Sequence, residues 1–515
     1  MDQPFDTITR SQRIAVILSA LLALFLGALD SLVVSAAMPT IVAELGGLHL
    51  YSWVYSAYFL SRAVSLPIFG KLADLVKVRT LLTTAIAVFV VASIGAGCAP
   101  DMVSLIAARV LQGVGAGGIF ALVYIVLTDV SPEKDRGRAL SLGSSIWGIA
   151  SVLGPTLGGV IVSYFSWRWI FFINVPLGLA SFWGIGAFLV EFRQKKNTVE
   201  LDLLGVATLS TAILAFLTAF LVGGRSYPWG SKEIIGLFVL SLVGLAGFVW
   251  AEHRAKDPIL SIGFFRMRGF SIGNSSVFLS SFAIFSLFAY APLFIQGVQG
   301  KTPLEVGVAM LSLSLGWSVG SLALGQVIHR LGRKMSALSG AGLLLSGSAM
   351  TLIFSPSTTM TYAFITFFIV GIGMGFVALS TLLVVQSCLD NRDLGVATAS
   401  HQFARTLGGA VGVGVCGSFV SSRIDELAET ISSLGILDGL PPKLAEGGIG
   451  QMERLMGPEV RSMLPHELLI LIQDSVGRGV SGVFWAVSLS SLLCLALCAL
   501  LPGEGKKPRA SLGNS

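Results

Sequence analysis

The sequence predicts an all-α membrane protein with fourteen spanning helices, and three observations carry that prediction. Of 515 residues, 54% are hydrophobic and only 12% are charged, against roughly 25% charged in soluble domains, so too little polar surface remains to face water. The apolar residues gather into fourteen runs, each near the ~20 residues a helix needs to cross a bilayer. Lys and Arg cluster in alternate connections between those runs.

The runs lie at 14–36, 51–70, 80–98, 103–127, 139–163 and 169–190, then 203–222 and 233–251, then 270–296, 305–328, 336–354, 360–385, 395–420 and 480–501. An even number puts both termini on one side. With the amino terminus inside, the inner segments hold 22 Lys and Arg residues, and the short outer connections hold four: Arg168, Arg225, Lys232 and Lys301. Basic residues are retained on the cytoplasmic side, so the chain is expected to be a multi-pass cell-membrane protein with both termini cytoplasmic. The same placement accounts for the net charge of +6 without a nucleic-acid partner. The first run contains Asp30 and exceeds the apolar stretch of a signal peptide, so it is read as a retained helix although Ser35-Ala36-Ala37 resembles a cleavage site.

Other function classes find little support. Cys98, Cys388, Cys416, Cys494 and Cys498 form no Cys-x-x-Cys pair, and no histidine cluster has metal-ligand spacing, so no disulfide, metal or cofactor is expected. There is no nucleophile–base–acid set and no phosphate-cradling glycine loop, which argues against an enzyme and against an ATP-driven pump.

An internal repeat organises the chain. Gly70-Lys71-Leu72-Ala73-Asp74-Leu75-Val76-Lys77-Val78-Arg79 follows the second run, and Gly325-Gln326-Val327-Ile328-His329-Arg330-Leu331-Gly332-Arg333-Lys334 follows the tenth. Both are basic turns opened by glycine. With runs seven and eight as an insertion, the domains are 1–195, a six-helix bundle; 196–260, two additional central helices; and 261–515, a second six-helix bundle with a long extracytoplasmic loop at 421–479. Paired bundles with a site between them near mid-membrane are a transporter architecture.

At these residues the sequence resembles the major facilitator superfamily, and more narrowly its fourteen-helix drug–proton antiporters. The turn motif matches at Gly70, Asp74 and Arg79 and departs at Lys77 and Val78; its second copy keeps Gly325, Gly332, Arg333 and Lys334, with His329 in the acidic place. Arg109-Val110-Leu111-Gln112-Gly113 is similar to the fourth-helix motif, Gly154-Pro155-Thr156-Leu157-Gly158-Gly159 to the antiporter motif, Trp167–Pro176 to the stretch entering helix six, and Leu29–Val34 to the first-helix motif. The resemblance implies proton-coupled export of small hydrophobic or amphipathic compounds by a monomer in the lipid bilayer. The alternatives are export of a lipid or endogenous metabolite, or a non-transporting receptor or assembly protein.

Asp30 is the one acid deep inside a predicted helix. A charge there is costly unless it is paired or lines water, so it is either half of a structural ion pair or a proton carrier. Arg109 is the candidate partner, because each residue lies six positions from the outer end of its run; Gln112 follows one turn further in. Arg62 is expected either to neutralise Asp30 or to meet an anionic substrate group; Arg405, with His401 and Gln402 nearby, faces the same choice in the second half, where the resemblance favours a structural role. Gly154, Gly158 and Gly159 suit a close, pivoting helix contact, with Pro155 favouring a bend. Asp74 and Arg79 are expected to latch the two halves on the cytoplasmic side. In the 421–479 loop, Ile424, Leu427, Ile431 and Leu434, and then Leu464, Leu468 and Ile472, recur at helical spacing. They suit amphipathic helices on the outer leaflet, a cover over the exit, or a docking surface for an extracytoplasmic partner.

Overall fold

The computed structural model describes residues 9–47, 50–73, 76–131, 136–191, 202–223, 227–255, 262–389, 394–433 and 466–503. Among them, fourteen helices of 15 residues or more follow one another: α1 Arg10–Leu45, α2 Tyr51–Leu72, α3 Val78–Gly97, α4 Met102–Asp129, α5 Arg136–Tyr164, α6 Asn174–Phe188, α7 Leu203–Val222, α8 Lys232–Arg254, α9 Arg268–Leu293, α10 Pro303–Leu331, α11 Arg333–Thr351, α12 Met360–Ser387, α13 Leu394–Ser433 and α14 His466–Ala499. A helical turn, Trp169–Phe172, leads into α6, and a π-helical turn, Phe294–Val298, extends α9.

Among the described residues, ten helical segments are long and apolar enough to cross a membrane. The other four main helices are α2, which carries Arg62, the glycine- and serine-rich α5 and α11, and α7, whose apolar stretch is shorter. Glycine and serine suit helices that face other helices, where small side chains let backbones approach. Local signals set several ends. Thr9 with Gln12, Asp101 with Ser104, and Thr302 with Glu305 form capping boxes at the starts of α1, α4 and α10. Gly332 alone separates α10 from α11, at φ 74°, a conformation that favours glycine.

Helix packing repeats itself along the chain. α1 packs on α4, α5 and α6; α2 packs on α4; and α3 packs on α4 and α6. Raising each number by eight gives the second set: α9 on α12, α13 and α14; α10 on α12; and α11 on α12 and α14. The α7–α8 hairpin pairs with itself, and α7 also leans on α2 and α13. Contacts between the sets run chiefly through α2 with α13 and α5 with α10, which are the same contact under the shift of eight. The expected domain edges near 195 and 260 lie outside the described residues.

Glycine makes this packing close. A Cβ at Gly113 would stand 2.4 Å from the Tyr58 carbonyl oxygen in α2, and one at Gly115 would stand 2.7 Å from the Phe89 nitrogen in α3. The motif after Arg109 thus wedges α4 between two backbones. Gly371 and Gly373 do the same for α12, with Cβ positions 2.1 Å from the Leu313 carbonyl oxygen and 2.4 Å from the Leu344 nitrogen.

The halves meet at one end of the bundle and in its middle. At that end the Tyr51 hydroxyl donates to the Ala289 carbonyl, the Tyr51 ring lies 5.7 Å from Tyr290, and a Cβ at Gly159 would stand 3.1 Å from the Gly307 Cα. Deeper in, Phe59 packs 4.9 Å from Phe285, and the Ser318 hydroxyl donates to the Gly148 carbonyl at 3.0 Å. At the opposite end, Gly70 and Gly325 face open space.

The long connection expected from 421 to 479 is helical at both described ends, as the spacing of its apolar residues suggested, but these helices continue the flanking spans. α13 continues to Ser433, and α14 starts at His466. Ile424 and Leu427 on α13, and Ile472 and Val476 on α14, are buried in the main core. These residues therefore seal a helix pair that prolongs the bundle rather than resting on a lipid leaflet. Residues 434–465, with Leu434 and Leu464, lie outside the described residues, as do the side chains of Ile431 and Leu468.

Candidate functional site

Two helices, α4 and α6, bring polar side chains to the carboxylate of Asp30 on α1, and Ser93 on α3 backs them. Arg109 on α4 donates Nη1 to Oδ2 at 2.5 Å. Asn174, the first residue of α6, donates Nδ2 to Oδ1 at 2.9 Å, and Gln112 on α4 donates Nε2 to the same oxygen at 3.2 Å. Ser93 on α3 accepts from Gln112 at 2.8 Å and from Asn174 at 3.4 Å, and donates its own hydroxyl to the Phe89 carbonyl at 2.8 Å. Arg109 also donates to the Gln112 side-chain oxygen at 2.9 Å and to the Val54 carbonyl at 3.3 Å, and its guanidinium carbon lies 4.1 Å from the Tyr58 ring centroid. Asp30, Gln112, Ser93 and Asn174 are wholly buried, and Arg109 is 1% exposed.

The electrostatics follow from burial. Removing two charges from water costs several kcal/mol per ion, and the pair recovers this only with good geometry and further hydrogen bonds. Here both carboxylate oxygens are served. Matched depth in the sequence pointed to Arg109, and the two residues are in direct contact.

Arg62 does not reach the Asp30 carboxylate. It donates to the neighbouring Ser31 hydroxyl at 3.1 Å and, across the two halves, to the Thr406 hydroxyl at 3.3 Å. Its guanidinium carbon lies 4.7 Å from the Phe59 ring and 5.0 Å from the Phe120 ring. Ser31 shares a 3.1 Å hydrogen bond with the Tyr58 hydroxyl, so Tyr58 links the surroundings of Arg62 and Arg109. On α13, Arg405 lies 3.8 Å from the Trp147 ring and 5.0 Å from the Trp317 ring, with a long 3.5 Å bond to Gln402. His401 meets the Thr381 hydroxyl at 3.0 Å.

The glycine motif of α5 faces two ways. Cβ atoms at Gly154 and Gly158 would stand 2.9 Å from the Leu32 Cβ and 2.5 Å from the Val33 carbonyl oxygen on α1, whereas Gly159 abuts α10 of the other half. Positions just beyond Asp30 are thus clamped to the helix that touches the opposite bundle. The side chain of Pro155 lies outside the described set.

The turn residues are arranged differently from a latch between halves. Arg79 donates to the Gly186 carbonyl on α6 of its own bundle, and the Glu191 carboxylate accepts from the backbone nitrogens of Val78 and Arg79 at 3.0 and 3.3 Å. The exposed start of α3 offers unpaired N–H groups, which this carboxylate caps. Asp74 lies outside the described residues, and Arg333 opens α11.

Sequence reasoning missed Asn174, Ser93, Tyr58, Trp147 and Trp317. Asn174 carried a usable signal, a lone amide in an apolar stretch at a helix start; the others carried none.

Comparison with known proteins agrees with this architecture. The chain is 33% identical over 491 residues to the multidrug transporter protein MdtP of Bacillus subtilis, covering 92% of this chain and 90% of that one. It is 28% identical over 504 residues to multidrug resistance protein 3 of the same organism, covering 97% and 98%, and 32% identical over 496 residues to the efflux pump dotC of Dothistroma septosporum, covering 94% and 84%. In three dimensions it superposes on a bacterial homologue of the human lysosomal transporter Spinster, in an inward-facing, unoccupied conformation, with a TM-score of 0.66 at 13% identity, over 96% of this chain and 98% of that one. Residues 20–413 match the family model described as Major Facilitator Superfamily; the chain is a multi-pass membrane protein of that superfamily, a family of transporters and not of enzymes.

Proposed function

We propose that the protein is a fourteen-helix, proton-coupled antiporter that exports small hydrophobic or amphipathic compounds across the cell membrane, with both termini cytoplasmic. The observation that carries this reading is the wholly buried Asp30, held by Arg109, Gln112 and Asn174. The relatives named as multidrug transporters and an efflux pump support the cargo class.

The network suits a proton switch. A proton on Asp30 cancels the counter-charge of Arg109, and an uncompensated buried charge costs about 3–5 kcal/mol. Arg109 must then change partners or gain water, so protonation and side-chain rearrangement are linked. The rearrangement is transmitted because α1 is clamped to α5 through Gly154 and Gly158, and α5 touches α10 through Gly159. Under the proposed orientation the halves meet at the extracytoplasmic end and middle, whereas Gly70 and Gly325 at the cytoplasmic end face open space, as suits an exporter that loads from the cytoplasm.

The test uses inside-out vesicles carrying the full chain and a panel of fluorescent and radiolabelled amphipaths. An acid-inside gradient should drive accumulation of at least one compound, and a protonophore should abolish it. Equal uptake with and without the gradient across the panel contradicts the proposal. A cysteine placed at Gly439 should react with an impermeant reagent from outside, and one at Lys195 should not.

A further inference from the structure

We propose that Arg62 and Arg405 together form a binding site, between the two halves, for the anionic group of the transported molecule: a carboxylate, sulfonate or phosphate carried on a flat apolar body. The inference rests on reading the protein as a small-molecule exporter and adds the charge of its cargo.

Among the described residues in the middle of the two bundles, three guanidiniums are buried, Arg62, Arg109 and Arg405, against one carboxylate, Asp30. Asp30 is already engaged by Arg109. Arg62 and Arg405 are only 2% and 6% exposed, and neither has a carboxylate partner among the described residues. The Nε of Arg62 and one terminal nitrogen of Arg405 have no hydrogen-bond partner among the described residues. Buried unpaired donors on a charged group are expensive, and ring faces return only part of that cost. A site that keeps two such groups is poised for an incoming anion.

Arg62 lies over Phe120, Phe120 stacks on Trp147 at 5.3 Å, and Arg405 lies over Trp147 and Trp317. Arg62 also bonds Thr406, the residue after Arg405. The two guanidiniums therefore border one aromatic surface. Arg62, Phe120 and Trp147 come from the first bundle, and Arg405 and Trp317 from the second. An anion held by both arginines would be contacted by both halves, with its apolar body against the rings, as convergent polar groups in an apolar site require. Guanidinium offers paired donors matched to carboxylate, sulfonate and phosphate oxygens. A cation would instead meet an excess of positive charge.

The test is equilibrium binding to the full chain in phosphatidylcholine nanodiscs, with no pH gradient, so that it stands apart from proton coupling. The probes share one ring system: tritiated 2-naphthalenesulfonate, the uncharged 2-naphthalenesulfonamide and the cationic 2-naphthylmethyltrimethylammonium. The sulfonate should bind about tenfold or more tighter than the sulfonamide, the margin of one charge-assisted hydrogen bond, and the cation should bind most weakly. Arg62→Gln and Arg405→Gln should each erase that preference, and Arg405→Lys should keep part of it. Added phosphatidylglycerol that competes would identify a lipid headgroup as the occupant, and unchanged affinity would identify a soluble amphipath; either keeps the anion site and names its source. Equal affinity for the three probes, or tighter binding of the cation, overturns the proposal on the wild-type chain alone, whether or not the variants fold. Absence of gradient-driven export alongside a clear sulfonate preference would sink the antiporter reading and leave this one standing.

Discussion

The two six-helix sets share one backbone arrangement and differ in what they bury. Gly113, Gly115 and Gly117 of α4 meet α2, α3 and α2, and Gly371, Gly373 and Gly375 of α12 meet α10, α11 and α10 in the same order. With the glycines matched, Phe367 stands in the place of Arg109 and Val370 in that of Gln112, all four of them buried. Gly117 approaches the Arg62 carbonyl where Gly375 approaches the Trp317 carbonyl, so an arginine in one half answers a tryptophan in the other. The scaffold occurs twice, and among the described residues the buried Asp30–Arg109 pair lies in the first copy only. Under the proposed mechanism, a proton carrier in one half would let a local event change that half relative to the other, as rocking about a central site needs.

The widest break of this comparison is steric. Gly113→Ala and Gly371→Ala both force a Cβ to within 2.4 and 2.1 Å of a carbonyl oxygen on the neighbouring helix. Overpacking of this kind costs about 1–3 kcal/mol, and more where backbone must yield. Both variants should show a large, similar loss of thermal stability in detergent; a loss confined to one half would mean the scaffolds are not equivalent. Chemistry should separate the halves where sterics do not. Arg109→Ala should cut gradient-driven transport by on the order of a hundredfold, as expected from breaking a buried pair, and Arg109→Lys should retain part of it with an altered pH profile. Phe367→Leu should lower stability by about 1.5 kcal/mol or less and leave the pH profile unchanged. An unchanged profile in both Arg109 variants, after correction for folded protein, would make Arg109 structural. Asn174→Ala removes one hydrogen bond to the carboxylate, a smaller effect of about tenfold on the same transport measurement.

The smallest expected difference lies at the helix caps. Asp101 caps α4, and Thr359 caps α12 by accepting from the Tyr362 nitrogen. The backbone hydrogen bond from Ser104 holds the Asp101 carboxyl below its usual range. Its contribution is therefore present above the ordinary carboxylate range and is lost as pH falls through the lowered value. Asp101→Asn should flatten the acid side of the stability–pH curve slightly, and Thr359→Ser should not change its shape.

Helix positions and the Asp30–Arg109 contact were legible in the sequence because hydropathy sets span length and depth sets which polar groups can meet. The continuation of α13 past 420 was not, because Ser421, Ser422, Arg423 and Glu426 end the apolar run while Ile424 and Leu427 keep the helical spacing. The destination of Arg62 was also hidden. Depth allowed it near Asp30, but its reach to Ser31 and Thr406 depends on rotamer and on the other half's approach, neither of which is encoded locally. Arg79 shows the same limit: its turn motif is plain in the chain, whereas its contact with Gly186 depends on where α6 ends.

Proton coupling through Asp30 is tested most directly by Asp30→Asn in inside-out vesicles, with folded protein quantified by monodispersity. The variant keeps the shape of the side chain and can still bond Arg109 through its carbonyl oxygen, but it cannot carry a proton. It should lose accumulation driven by an acid-inside gradient and retain downhill substrate flux. Undiminished uphill accumulation by the folded variant would contradict the account.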